Sequence, residues 1–266
     1  MISNYHTHTQ FCDGKSTAEE MVISAINKGF STLGFSGHGY TAFDLTYCMK
    51  DTAGYRAEIC RLREKYKDKI EIYLGVEEDI YHPQYRADFD YIIGSSHYVC
   101  KDGVYVPVDS SPDTMHSAIA LFDGDTRAMA ESYYSNFVSY IKKRRPDIIG
   151  HFDLLTKFDE KEGPYFLGDP VYQQTAEKYL REALRADCIF EVNTGAISRG
   201  WRTAPYPHES LLPIIKKEGG RLTLTSDCHH ADNLDCHYAE SRAMLRDVGF
   251  EYLYTLSHGE WVRDFL

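Results

Sequence analysis

The chain has 266 residues, 43% hydrophobic and 26% charged, which describes one large globular domain and excludes disordered and fibrous classes. No apolar run approaches the roughly 18 residues of a membrane helix. Met1 to His6 lacks the basic and apolar regions of a secretory signal, so a soluble, cytoplasmic protein without a membrane partner is expected. Acidic residues outnumber basic ones by 40 to 29, a formal net charge of −11. The longest basic run, Lys142-Lys143-Arg144-Arg145, reads as a solvated helix end, so no nucleic-acid partner is expected. Seven cysteines, at 12, 48, 60, 100, 188, 228 and 236, are odd in number and form no Cys-x-x-Cys pair. They indicate reduced thiols, with neither a disulfide framework nor a zinc knuckle.

In chain order, short apolar strands are predicted at Ile2–Tyr5, Thr32–Ser36, Ile70–Val76, Tyr91–Gly94, Asp147–Gly150, Cys188–Val192 and Leu222–Thr225. Thr17-Ala18-Glu19-Glu20 has the spacing of a capping box and opens a helix through Lys28. Helical spacing recurs at Tyr55, Ile59, Leu62 and Tyr66, at Ala130, Tyr133, Phe137 and Ile141, and at Tyr172, Ala176, Tyr179 and Ala183. Residues 98–122 read as a hairpin and lid without an assignable role. Strands alternating with helices predict a parallel sheet, closed as a barrel or open and doubly wound. A single domain over residues 1–266 suits the barrel better.

Metal-ligand residue types end six of the seven predicted strands: His6 and His8, His38, Glu77, His97, His151, and Asp227 with His229. In a parallel barrel those ends share one face, so residues distant in sequence converge on one pocket. His6 and His8 alternate along a strand and would point the same way. Imidazole and carboxylate without thiolate suit Zn, Mn or Fe, and there are more ligands than one ion uses, so a multinuclear site is predicted. With Asp13, Glu77 and Asp227 contributing about −3 against about +6 from three divalent ions, the pocket would favour an anionic substrate. Phosphomonoester hydrolysis is the natural chemistry. Serine-hydrolase, zincin, P-loop and dinucleotide-binding motifs are absent. The remaining histidines, 82, 116, 208, 237 and 258, fall off the strand-end pattern, His230 is expected to point away, and Cys228 is expected to pack.

His6-Thr7-His8-Thr9-Gln10-Phe11-Cys12-Asp13-Gly14, Gly75-Val76-Glu77, Gly94-Ser95-Ser96-His97-Tyr98, Gly150-His151-Phe152-Asp153 and Ser226-Asp227-Cys228-His229 resemble the PHP (polymerase and histidinol phosphatase) superfamily, in particular its histidinol-phosphate phosphatase branch. The likeness runs from residue 5 to about residue 255. It implies an α/β fold, a single-domain distorted (β/α)7 barrel with three divalent or trivalent ions (Zn, Mn or Fe) at the C-terminal ends of the strands. It would give one ion to His6, His8, Glu77 and Asp227, with Glu77 bridging to a second ion on His97 and His151. Asp13, His38 and His229 would hold the third. Arg199 matches a position that looks like a phosphate clamp, with Arg202 a weaker competitor. Two departures stand out: Gly37 occupies a position that is often acidic, and Asp13 one where some relatives use histidine.

The implied activity is hydrolysis of L-histidinol phosphate, a small-molecule partner, to L-histidinol and phosphate in histidine biosynthesis, by attack of a metal-bridging hydroxide. Within the same superfamily the alternatives are a nuclease or nucleotide phosphatase and a phosphotyrosine phosphatase. A nuclease groove should be basic, and no basic stripe is present. A non-catalytic metal-binding module is the alternative of a different class; it predicts lost ligands, whereas all nine positions hold competent ones.

Overall fold

The computed structural model describes residues 1–266. After strand β1 (Ser3–Asn4), the predicted capping box opens helix α1 (Ala18–Asn27): Thr17 Oγ1 accepts from the Glu20 amide at 3.2 Å and Glu20 Oε2 accepts from the Thr17 amide at 2.8 Å. Strand β2 (Thr32–Phe35), helix α2 (Thr52–Tyr66), strand β3 (Glu71–Asp79) and strand β4 (Tyr91–Ser95) follow. An excursion then carries a hairpin, β5 (Tyr98–Lys101) and β6 (Val104–Pro107), and helices α3 (Pro112–Leu121) and α4 (Thr126–Arg144). The hairpin expected in 98–122 is therefore present. The second half comprises β7 (Ile148–Ile149), α5 (Pro170–Leu184), β8 (Ile189–Asn193), α6 (Gly195–Ser198), α7 (Leu212–Lys217), β9 (Arg221–Thr225) and α8 (Tyr238–Val248).

The seven strands pair in parallel in the order β1-β2-β3-β4-β7-β8-β9. Between β1 and β9 no ladder forms; the barrel is closed there by a bridge between Thr7 and Cys228, with the His8 amide donating to Cys228 O at 2.9 Å. Asn4 Nδ2 reaches Ser226 Oγ at 2.6 Å, and the Tyr238 hydroxyl spans the seam at 3.2 Å from both Ser3 O and Leu224 O. Closure through side chains and a single bridge makes the barrel nearly closed and distorted.

Alternation along each strand separates two faces. The outward face, with Leu33, Phe35, Phe190, Leu222 and Leu224, packs against the helices in the main core. The inward face holds a smaller cluster of Tyr5, Tyr91, Ile93 and Ile148, joined by Leu256 from the C-terminal segment. Tyr91 replaces the branched residues usual inside a parallel barrel, and its ring occupies the space where Cβ atoms at Gly34 and Gly75 would come within 2.4 and 2.3 Å of it. An antiparallel hairpin of β10 (Tyr252–Ser257) and β11 (Glu260–Phe265), not anticipated from sequence, covers the end of the barrel beneath Tyr5. Tyr5 hydrogen bonds Thr255 Oγ1 at 2.6 Å and meets Trp261 edge-on at 5.2 Å. The basic run at the end of α4 is not simply solvated: Arg144 forks onto buried Glu78, Nε to Oε1 at 2.6 Å and Nη2 to Oε2 at 3.0 Å.

Candidate metal centre

On the inward face of β3 the residue two beyond Gly75 is Glu77, the hub of the site. Its Oε2 lies 3.1 Å from His6 Nε2, 3.6 Å from His8 Nε2 and 2.9 Å from His38 Nδ1. Its Oε1 lies 3.2 Å from His97 Nε2 and 3.1 Å from His151 Nε2. One carboxylate thus faces two separate groups of imidazoles. Asp227, following β9, places Oδ1 3.2 Å from His8 Nε2 and 3.7 Å from His6 Nε2. A further group gathers at the rim, where Asp13 stands 3.3 Å from His229 Nε2, 3.7 Å from His38 Nε2 and 3.8 Å from His8 Nδ1. The structure brings all nine sequence-predicted ligand positions together, and His8 and His38 face more than one group.

The donor set fits metal ions. His6 Nε2, His8 Nε2 and Glu77 Oε2 are buried without a hydrogen-bond partner yet point at one another, an arrangement that is costly unless a cation satisfies all three. Carboxylates fix the imidazoles from behind: His6 Nδ1 lies 2.8 Å from Glu191 Oε2, and His97 Nδ1 3.3 Å from Asp79 Oδ2. With Nδ1–H donating outward, Nε2 presents its lone pair inward. Burial opposes a charge on His6, but Glu191, Glu77 and Asp227 hold its proton affinity well above the ordinary histidine value. Burial likewise opposes it on His97, and Glu77 and Asp79 overcome that. His8 behaves oppositely, pushed down to about 3 by burial and then by the neighbouring rings of His229 and His38. Asp13 stays strongly acidic: burial disfavours its charge, but His38, His229 and His8 more than offset this.

A Cβ at Gly37 would lie 3.1 Å from Met49 Cε and 3.2 Å from Cys12 Sγ. A side chain at Gly37 would have to push the end of Met49 and the Cys12 thiol aside, and His38 is held between Glu77 and Asp13.

Arg199, from α6 and its C-terminal end, hydrogen bonds Asp227 through Nη2 to Oδ2 at 3.0 Å and through Nη1 to the backbone O at 3.1 Å. It lines a cavity of about 260 Å³ together with the ligand groups, Lys157 and Asp109. Lys157 donates to Asp109 O at 2.5 Å and lies 3.5 Å from its Oδ2. Arg202 is buried elsewhere, bonded to Thr156 Oγ1 at 2.7 Å and stacked on Tyr206. Among the histidines set aside from the site, His116 bonds Tyr165, His230 faces Asp232, and His258 faces Glu71. Sequence reasoning missed Glu191, Asp79 and Lys157, and gave no role to Asp109 in the 98–122 segment. The available signal for Glu191 was a glutamate inside the apolar run Ile189-Phe190-Glu191-Val192, a position that demands a partner.

Imidazoles and carboxylates gathered at the C-terminal mouth of a parallel barrel, with cationic side chains beside them, form a candidate metal centre of the kind that metal-dependent hydrolases carry. The chain belongs to the PHP domain family, which it matches over residues 4–195. It is 27% identical to the "Probable histidinol-phosphatase" of Schizosaccharomyces pombe, across 96% of this chain and 89% of that one. It is also 27% identical to the histidinol-phosphatase of Lactococcus lactis, across 96% and 94%. Among solved structures, histidinol phosphate phosphatase from Lactococcus lactis, complexed with Zn, L-histidinol and phosphate, superimposes with a TM-score of 0.68 at 20% identity, covering 98% of each chain.

Proposed function

We propose that the chain hydrolyses L-histidinol phosphate to L-histidinol and phosphate, a step of histidine biosynthesis, using three metal ions. His6, His8, Glu77 and Asp227 would hold the first, Glu77, His97 and His151 the second, and Asp13, His38 and His229 the third. The observation that carries this reading is the Glu77 carboxylate, whose two oxygens face different imidazole groups as a bridging ligand requires. Relatives named histidinol-phosphatases that align along nearly the whole chain, and the Zn, L-histidinol and phosphate in the Lactococcus lactis structure, support the substrate and the use of metal. Bound ions of this kind generate hydroxide near neutral pH and neutralise phosphate charge. The chain's own groups complete the site: Glu191 and Asp79 orient the imidazoles, and Arg199 and Lys157 offer N–H donors to phosphate oxygens. Zn, Mn and Fe all suit the donors. No helix is long and apolar enough to cross a membrane, and the seven free thiols fit a reducing, cytoplasmic setting.

The test is phosphate release by the Zn- or Mn-loaded protein from L-histidinol phosphate, nucleotides, a phosphotyrosyl peptide and an aryl phosphate. A kcat/KM for histidinol phosphate several orders of magnitude above the others is expected. Preference for a nucleotide or the peptide overturns the substrate, and no release from any ester overturns the enzyme.

A further inference from the structure

Two carboxylates line the cavity without belonging to the metal groups, Asp44 and Asp109. Asp109 is matched by the Lys157 ammonium. Asp44 is not matched by any cation: its partners are Thr46, through the amide at 3.0 Å and the hydroxyl at 2.6 Å to Oδ1, and the Tyr98 hydroxyl at 2.8 Å to Oδ2. Oδ1 is thereby saturated, while Oδ2 keeps a lone pair to offer.

The position of Asp44 is built. The loop that carries it, after β2, is clasped to the β5–β6 hairpin by Phe43, which stacks on Tyr105 at 4.3 Å and meets Tyr98 edge-on at 5.0 Å. Tyr47 of the same loop sets its ring edge-on to the His38 ring at 4.7 Å. Asp44, Thr46, Tyr47 and Tyr98 consequently form one wall of the cavity, with Arg199 and the metal groups also lining it. A phosphate held by Arg199 and the ligand groups leaves the ester's alcohol against the remaining wall. That wall offers one unmatched carboxylate beside phenol rings, a combination that attracts ammonium and imidazolium groups.

We propose that Asp44 is a specificity-determining residue that selects phosphate monoesters whose alcohol carries a positive charge. The proposal rests on the phosphomonoesterase reading above and assigns the part of the site that recognises the leaving group. Selectivity here is a difference between esters sharing one phosphate site, so it should reside in the alcohol wall.

The experiment measures kcat/KM of the metal-loaded protein for L-histidinol phosphate, for a second amino-alcohol phosphate and for a neutral aryl phosphate. Asp44→Asn and Asp44→Glu are compared with the wild type, and metal content is checked for each. The ratio of cationic to neutral ester is expected to fall about ten- to a hundredfold in Asp44→Asn, the value of one charge-assisted contact, mainly through KM. Asp44→Glu, which keeps the charge, should retain most of the ratio. An unchanged ratio in Asp44→Asn, an equal loss for all esters, or a wild type indifferent to charge on the alcohol overturns the proposal. Poor hydrolysis of histidinol phosphate alongside an Asp44-dependent preference for the other amino-alcohol ester would overturn the assigned substrate and uphold Asp44.

Discussion

Replacing Glu191 by glutamine tests how the metal centre is assembled, because it exchanges one acceptor oxygen for an NH2 donor and changes almost no volume. Glu191 is buried, and both its oxygens are saturated. Oε2 accepts from His6 Nδ1 and Thr225 Oγ1, each at 2.8 Å, and Oε1 from the His151 amide at 2.6 Å and Asn193 Nδ2 at 2.8 Å. The His151 and Asn193 donors cannot become acceptors, so the new amide must turn its oxygen towards them. Its NH2 then faces Thr225, whose hydroxyl can rotate to accept, and His6 Nδ1, which can accept only if the ring proton moves to Nε2. Every hydrogen bond is remade, with His6 in the tautomer that presents N–H where the metal lone pair belongs.

Metal binding must then restore the original tautomer and leave an N–H facing an N–H, a loss of about 1–3 kcal/mol or roughly ten- to a hundredfold in affinity. Competition against a calibrated chelator measures that affinity, and a melting curve of the metal-free protein measures the fold. Above the pH at which metal-free His6 loses its proton, the expected result is weakened metal binding with nearly unchanged metal-free stability. Wild-type metal affinity together with a lower melting temperature would refute the tautomer argument and make Glu191 a purely structural group.

Three further outcomes follow from the geometry. His151→Ala removes a Glu77-facing nitrogen while the other ring nitrogen, Nδ1, already lacks a partner, so kcat/KM should fall more than about a hundredfold while the melting temperature moves by less than about 5 °C; retained turnover removes His151 from the ligand set. Gly75→Ala drives a Cβ to 2.3 Å from Tyr91 Cζ and should lower the melting temperature by about 5–10 °C, an overpacking cost, unless the ring can swing aside. In the metal-free protein, burial works against protons on His6, His38 and His97, but the surrounding carboxylates raise their proton affinity above the ordinary value. Metal must displace those protons, so affinity rises with pH and loading releases protons, measurable by calorimetry in buffers of different ionisation enthalpy; affinity flat between about pH 6 and pH 8 would contradict this.

The parallel barrel was legible because β2, β3, β4, β7, β8 and β9 are short, largely apolar runs buried along most of their length, and the polar residue that follows each run marks the open end of the barrel. All seven predicted strands exist, with ends shifted by a few residues: the β3 ladder continues through Glu77 to Asp79, where charged side chains hid it. The β10–β11 hairpin was not legible. Its strands mix apolar and polar residues because one face covers Tyr5 and the other meets solvent, and the run lacks the flanking helix that marked the others. Arg144 escapes sequence reading for a related reason, since a basic helix end looks alike in sequence whether it meets water or a carboxylate such as Glu78, distant in sequence but adjacent in the fold.

Ligands and their supports differ in how they show themselves. A candidate ligand at a strand end, where the pocket is, is exposed by position and residue type together, as His6, His38, Glu77, His97, His151 and Asp227 are; Asp13, in the loop well beyond β1, carries no such mark. Glu191, a support, stands one layer deeper, inside the strand, where its neighbours are apolar and its role depends on what the barrel brings opposite it. Glu191 faces His6 only because barrel closure sets β1 beside β9 and so one strand away from β8, a relation fixed by the Thr7–Cys228 bridge and by no local pattern. A charged residue buried in the middle of a parallel strand still announces that some partner exists, because an unpaired carboxylate there would cost more than the strand could offset. For Glu191 that partner is a metal-facing imidazole, which is why the Glu191→Gln substitution should be felt first in metal binding and only weakly in the fold.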